Sequence, residues 1–292
     1  MGGTGGTGIG GEGGNDCVDD TSLPLLEEPP SKLSETGLYA DISTDQIASY
    51  ALAYHPKFEL WSDGAEKKRY AYLPKCSQID ATNMDEWSFP VGTRFWKEFT
   101  VDGKRIETRL IHRFGSGPGD FIFAAYQWND EGTDADRVPE GVSDAMGTAH
   151  DIPSADKCTR CHGVLPEKIL GFGAIELNHE GAGQTLATLG AEGRLSKPNA
   201  KMFSVPGDPK AQAALGYLHA NCGNCHNRHQ VMPAQFSLRL RTTDAAPEDT
   251  DAYTTSVGIV PSLFFEPGIS YRIAAGESPS TEPKFPWPST KG

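Results

Sequence analysis

Three things are scarce in this chain: methionine, cysteine and positive charge. It has 5 Met and 6 Cys in 292 residues, and 26 Lys and Arg stand against 39 Asp and Glu. The resulting net charge of −13 argues against a nucleic-acid-binding or anionic-membrane-binding protein, because such a chain repels phosphates. No run of about 20 apolar residues is present, so the sequence predicts no transmembrane helix.

The N-terminus also lacks a recognisable export signal. The opening MGGTGGTGIGGEGGNDC has neither a basic region nor an apolar core, which predicts that no signal peptide is part of this chain. Its glycine content predicts a flexible tether, and we assign residues 1–36 to it, including the Pro-containing lead-in. With 33 Gly and 21 Pro overall, the sequence favours many turns rather than a bundle of long helices.

Strand signals fill residues 37–149. The segments TRFWKEFTV (93–101) and KRIETRLIHRF (104–114) alternate and are separated by Asp102-Gly103, a strong hairpin signal. DFIFAAYQW (120–128) predicts a third strand. We therefore expect an antiparallel β-rich module. The arginines of the second strand are interpreted as a solvated face: Arg105, Arg109 and Arg113.

Short helices are predicted from residue 150 onward, with a Pro-rich extended tail at the end of the 150–292 region. Asp208 is a good N-cap and Pro209 suits the first helical position. This helix leads into CGNCH (222–226). A weaker N-cap signal at Ser154 precedes CTRCH (158–162).

Both Cys-x-x-Cys-His segments have the pattern of c-type haem attachment. Two thiols one helical turn apart reach the two vinyl groups on one porphyrin edge, and the following His provides the proximal iron ligand. A zinc half-site or a redox dithiol are the alternatives. However, paired zinc-ribbon motifs lie about 15–20 residues apart, and a dithiol requires no histidine. We therefore predict two covalently bound haem c groups, held by Cys158, Cys161, His162, Cys222, Cys225 and His226.

The sixth ligand of each iron is less well marked. Met202 lies 40 residues after His162, a plausible distance for a distal ligand of the first haem, and His179 is a second candidate. Met232 is too close to His226 to fold back over the same iron and is a candidate for the other one. A distal Met or His would make the protein an electron carrier, whereas an open site would favour ligand binding or peroxide chemistry.

Haem attachment to thiols implies an exported chain, so we predict a periplasmic or cell-surface location. That context favours a disulfide between Cys17 and Cys76. The alternative is a free buried thiol at Cys76.

Several segments resemble a family of exported bacterial di-haem c-type cytochrome proteins. They are FELWSDGAEKKRYAYLP (58–74), FPVGTRFWKEF (89–99), RIETRLIHR (105–113), YQWNDEGTDA (126–135), CTRCHG (158–163) and YLHANCGNCHN (217–227). The resemblance implies an α+β fold, with the β-rich module followed by a mostly helical cytochrome-c-like region, and electron transfer as the activity. Members usually continue to a Met-Pro-Pro stretch, whereas this chain ends in SPSTEPKFPWPSTKG. We therefore expect either a truncated chain, or a second iron ligated by His, by a neighbouring chain or by nothing.

Three functions remain open. The favoured one is a relay of electrons between redox protein partners, because two cofactors in one chain suit a relay. A di-haem peroxidase or oxygenase with one open iron is the first alternative, and no catalytic residue is assigned for it. The second is a structural subunit of a multi-haem assembly, formed by self-association or in a surface complex.

Overall fold

The computed structural model describes residues 23–197, 203–229, 236–261 and 271–273. It combines antiparallel sheets with short helices, which confirms the mixed α+β class. Within these ranges no helix has the length and apolar character needed to cross a bilayer.

The strands are β1 Tyr39–Asp41, β2 Gln46–Ile47, β3 Leu52–Ala53, β4 Glu66–Tyr72, β5 Arg94–Val101, β6 Lys104–Arg113, β7 Phe121–Trp128 and β8 Ala135–Arg137. The main sheet has six strands in the order β3-β4-β5-β6-β7-β8, so that every strand pairs with its neighbour along the chain. All of these pairs are antiparallel. A small second sheet pairs β1 with β2.

The predicted hairpin joins β5 to β6. Asp102 and Gly103 have φ angles of 50° and 78°, the left-handed backbone that a two-residue turn of this kind requires. The register then shifts between Phe99 and Thr100. Because of this bulge, Lys97 lies opposite Arg109 rather than opposite Thr108.

The segment before the main sheet, around residues 33–38, packs against one face of that sheet. Leu33 and Leu38 pack there against Trp96, Tyr126 and Trp128, all of them buried. The indole Nε1–H of Trp96 donates to the Thr36 hydroxyl (3.0 Å), so that its polar atom is satisfied inside the core.

The opposite face packs against the chain that follows residue 150. Phe172 contacts Tyr54 and Phe95 edge-on, with ring centroids 4.7 and 5.0 Å away, and also meets Trp87 and Phe89. This core continues into Leu177, Leu186, Leu189 and Leu195. A single hydrophobic cluster therefore joins the strands to the later helices.

The helices are short: α1 Ala155–His162, α2 Ala174–Leu177, α3 Leu186–Ala191, α4 Pro209–Asn221 and α5 Asp251–Thr254. The start of α4 is as predicted, since the Asp208 carboxylate accepts the Ala211 N–H at 2.8 Å. Helix α1 begins after Ser154, although that side chain makes no capping hydrogen bond to the backbone.

Candidate functional site

The first Cys-x-x-Cys-His segment forms the last turn and a half of α1. Cys158 and Cys161 are one turn apart, and His162 is the last residue of the helix. Gly163 follows it, where a Cβ atom would lie 2.3 Å from the Thr159 carbonyl oxygen. Only glycine allows the chain to leave the helix so close to its own backbone.

One hydrogen bond fixes the His162 imidazole. Its Nδ1 lies 2.7 Å from the Lys168 carbonyl oxygen, which can only accept, so Nδ1 carries the proton and Nε2 keeps a free lone pair. Burial lowers the pKa of His162 to about 4 despite this bond, which keeps the ring neutral. Lys168 itself adopts a left-handed φ of 58°. The backbone is thus held in an uncommon conformation where it orients the ring.

A cavity opens beside this motif. It encloses about 940 Å³ of space, part of it open to solvent, and its exposed walls are mainly apolar. Cys158, Cys161 and His162 all line it. Its apolar walls come from the sheet and from the segment after α1: Tyr54, Leu60, Phe95, Trp96, Leu110, Ile111, Phe123, Ala124, Ile169 and Leu170.

The second motif reaches the same cavity. Helix α4 ends at Asn221, Cys222 is its C-cap, and Cys225 lines the cavity together with Asn221 and Asn224. Burial and the neighbouring Cys161 thiol raise the pKa of the Cys225 thiol. One cysteine of each motif, Cys161 and Cys225, therefore lines the same cavity.

The ring of His226 lies outside the cavity beside the first motif. It stacks on Phe236 with centroids 4.2 Å apart, and its buried Nδ1 has no hydrogen-bond partner among the described residues. His226 and Cys222 do not line the cavity of the first motif. Burial raises the pKa of the Cys222 thiol and lowers that of His226.

Of the three candidate distal ligands, the structure describes only His179. Met202 and Met232 lie outside the described residues. His179 is described, and both of its ring nitrogens are engaged: Nε2 donates to the His55 carbonyl (2.6 Å) and Nδ1 accepts the Gly181 N–H (2.8 Å). It is not among the residues lining the cavity. In this arrangement His179 has no free lone pair for an iron.

Three further histidines have structural partners. His112 is fully buried: it accepts the Leu26 N–H at Nε2 and donates to the Thr93 carbonyl from Nδ1, as expected for a satisfied core residue. Buried His219 bonds Glu176 and accepts the Leu240 N–H. The third, His150, bonds the buried Glu107 carboxylate at 2.8 Å.

The cysteines fall into two groups. Cys158, Cys161, Cys222 and Cys225 are free thiols. Cys76 is disulfide-bonded, and its predicted partner Cys17 lies outside the described residues. In the described ranges no set of three or more His, Cys, Asp or Glu side chains converges as a metal site.

A row of three cations on the sheet, two of which line the cavity, was missed from the sequence. Arg69, Lys97 and Arg109 lie opposite one another on β4, β5 and β6. The interpretation of Arg109 as part of a solvated face is only partly right: its side chain is 32% exposed, but it lines the cavity beside the fully buried Glu107. Lysine and arginine at alternate positions of the strands could have revealed the row, but only if the pairing register of β4, β5 and β6 had been known.

No protein-family model, curated protein or solved structure matches this chain.

Proposed function

We propose that this protein is an exported di-haem c-type cytochrome that relays electrons between redox proteins. The observation that carries the proposal is the arrangement around His162: a neutral imidazole with Nε2 free, beside two thiols on the wall of a largely apolar cavity. These are the groups that a c-type haem requires, and they fit it. The bound iron would supply one-electron exchange between its ferrous and ferric states.

Each residue of the motifs has a definite role in this proposal. Cys158 and Cys161 hold the first haem through thioether bonds, and His162 provides its proximal nitrogen. The Lys168 carbonyl orients that ring, as outer-shell partners of ligating histidines generally do. The second haem is held by Cys222, Cys225 and His226.

Cys161 and Cys225 line one cavity, which supports a relay because it brings an attachment point of each motif to one place. The cytochrome-c-like character of residues 150–292 and a periplasmic or cell-surface location belong to the same proposal. The net charge of −13 favours redox partners with basic docking surfaces.

The test is a haem count on the purified chain by pyridine haemochrome, with Cys158→Ala and Cys222→Ala as variants. We expect two haems per chain in the wild type and one fully attached haem in each variant. Mass spectrometry of tryptic peptides identifies which motif has lost its thioether. A chain that carries zinc and no haem after expression with a c-type maturation system would refute the proposal.

A second candidate is a di-haem enzyme with an open iron at the first motif. The specific observation in its favour is that the described walls of the cavity contain neither Met nor a second His. We expect a relay with two filled irons to be low-spin and unresponsive to CO. A high-spin haem that binds CO, and that disappears in Cys158→Ala, would favour the enzyme.

A further inference from the structure

We propose that Arg69, Lys97 and Arg109 form a carboxylate-binding site shared by the cavity and the pocket that adjoins it, and that this site holds the propionate groups of the haem attached at the first motif. The inference rests on the proposed function. Its evidence is the sheet, the cavity and the unpaired polar atoms of these side chains.

The strand register places three cations side by side. Lys97 lies directly opposite Arg69 on one neighbouring strand and directly opposite Arg109 on the other. Adjacent strands are about 4.8 Å apart, and like charges facing each other across strands destabilise a sheet. A row of this kind is expected where an anionic ligand compensates it.

The nearby carboxylates do not neutralise all of the positive charge of this row. Glu59 is shared between Lys67 and Arg69, at 3.3 Å from each, and Glu107 pairs with Arg109. Lys97 has no hydrogen-bond or ion-pair partner within the described part of the chain, and its Nζ lies 5.0 Å from the Phe99 ring centroid. Glu176 lines an adjoining pocket together with Arg69 and Lys97, but it is engaged by His219.

Two side chains of the row, Arg69 and Lys97, have N–H groups without a hydrogen-bond partner in the described part of the chain. Arg69 is 4% exposed, yet its Nη1 has no hydrogen-bond partner. Lys97 lines both the main cavity and the adjoining pocket, and burial together with Arg69, Arg109 and Lys67 lowers its pKa to about 7. A carboxylate bound between them would accept the orphaned Arg69 N–H and restore the charge of Lys97.

Propionates are the carboxylates that this position would receive. Cys158, Cys161 and His162 line the same cavity as Lys97 and Arg109, so the propionates are the carboxylates that a haem attached at the first motif would bring to this cavity. The chain as a whole is strongly acidic, and a local excess of cations is therefore not a general property of its surface.

The experiment uses the haem-loaded chain, with ¹³C introduced at the propionate carboxyl carbons through labelled 5-aminolevulinate. We expect Lys97→Gln to shift carboxyl ¹³C signals of one haem in the reduced protein and Lys97→Arg to restore them. Lys68→Gln is the matched control, because Lys68 neighbours the row on β4 but its side chain is 67% exposed. Arg69→Gln provides a second variant should Lys97→Gln fail to fold.

Reduction potentials give an independent readout. Removing a cation that neutralises a propionate stabilises ferric iron, so the potential of one haem should fall, by about 59 mV for a tenfold effect in a one-electron couple. Two haems with unchanged carboxyl signals in both Lys97→Gln and Arg69→Gln would overturn this inference and leave the proposed function intact. Conversion of one haem to high spin in Lys97→Gln would also overturn it, because Lys97 would then be an iron ligand. A chain without haem would refute the proposed function itself.

Discussion

At the scale of single residues, Gly163 is the most sharply constrained position near the first motif. We expect Gly163→Ala to lower the free energy of unfolding by about 1–3 kcal/mol, the usual range for forced overpacking, because the new Cβ would lie 2.3 Å from the Thr159 carbonyl oxygen. Urea denaturation followed by circular dichroism measures the change.

The chain offers a matched control at Gly119, where a Cβ atom would meet nothing within 4 Å. Gly119→Ala should change the free energy of unfolding by less than about 0.5 kcal/mol. Equal stability of the two alanine variants would mean that the end of α1 can relax without cost, and that the glycine is dispensable there.

Buried His112 is expected to make the free energy of unfolding fall in acid. Burial, with Arg94 nearby, lowers its pKa to about 4, whereas a histidine in the unfolded chain titrates near about 6.5. Between these values the unfolded chain binds a proton that the folded chain does not, so the free energy of unfolding falls as the pH drops from 6.5 to 4. We expect His112→Gln to show a smaller loss over this window in urea denaturation. A pH dependence in His112→Gln as steep as in the wild type would contradict this role of His112.

The sequence predicted the core of the candidate site at this scale because that chemistry is local. Cys158, Cys161 and His162 are adjacent on one helical turn, and they do line one cavity. The partner of His162 could not be predicted, because it is a backbone carbonyl brought near by a left-handed φ at Lys168, a residue whose side chain carries no signal for that conformation.

At the scale of elements, the β5–β6 hairpin depends on its turn. Gly103 has a φ of 78° with open space around it, so the cost of a side chain there is purely one of backbone conformation. We expect Gly103→Ala to lower the free energy of unfolding by about 1–2 kcal/mol, the cost of left-handed backbone for a residue with a Cβ. Asp102→Asn, which tolerates a positive φ, is the control and should stay within about 0.5 kcal/mol in the same thermal or urea titration. Loss of stability in the control alone would contradict the turn assignment.

The same hairpin shows where prediction from the sequence stops. Its strands and turn were predicted from alternation and the Asp-Gly pair, and both are present. A regular two-residue hairpin would place Lys97 opposite Thr108, but the bulge beside Phe99 places it opposite Arg109. A shift of one residue exchanges the two faces of a strand. Composition and periodicity do not reveal this bulge, so the row of three cations could not be predicted from the sequence.

At the scale of the whole molecule, the sheet and the later helices depend on one another. The face of the sheet that carries Lys97 and Phe95 also forms a wall of the cavity beside His162. Residues on both sides of position 150 share one core, in which Phe172 contacts aromatic rings from the N-terminal part. The β-rich part thus contributes directly to the site, where the sequence had suggested no chemistry for it.

This shared core predicts that the strands and the later helices unfold together. We expect Phe172→Ala to lower the free energy of unfolding by about 3–5 kcal/mol, because it leaves a cavity among Tyr54, Phe89 and Phe95. Hydrogen exchange with mass spectrometry across a urea series should show β6 and α3 losing protection at the same, lower concentration. Leu25→Ala, at a side chain that is 53% exposed, is the control and should leave both midpoints unchanged. If α3 lost protection early in Phe172→Ala while β6 kept its wild-type midpoint, the two parts would be separate folding units, and the cavity wall formed by the sheet would persist without the helices that pack against it.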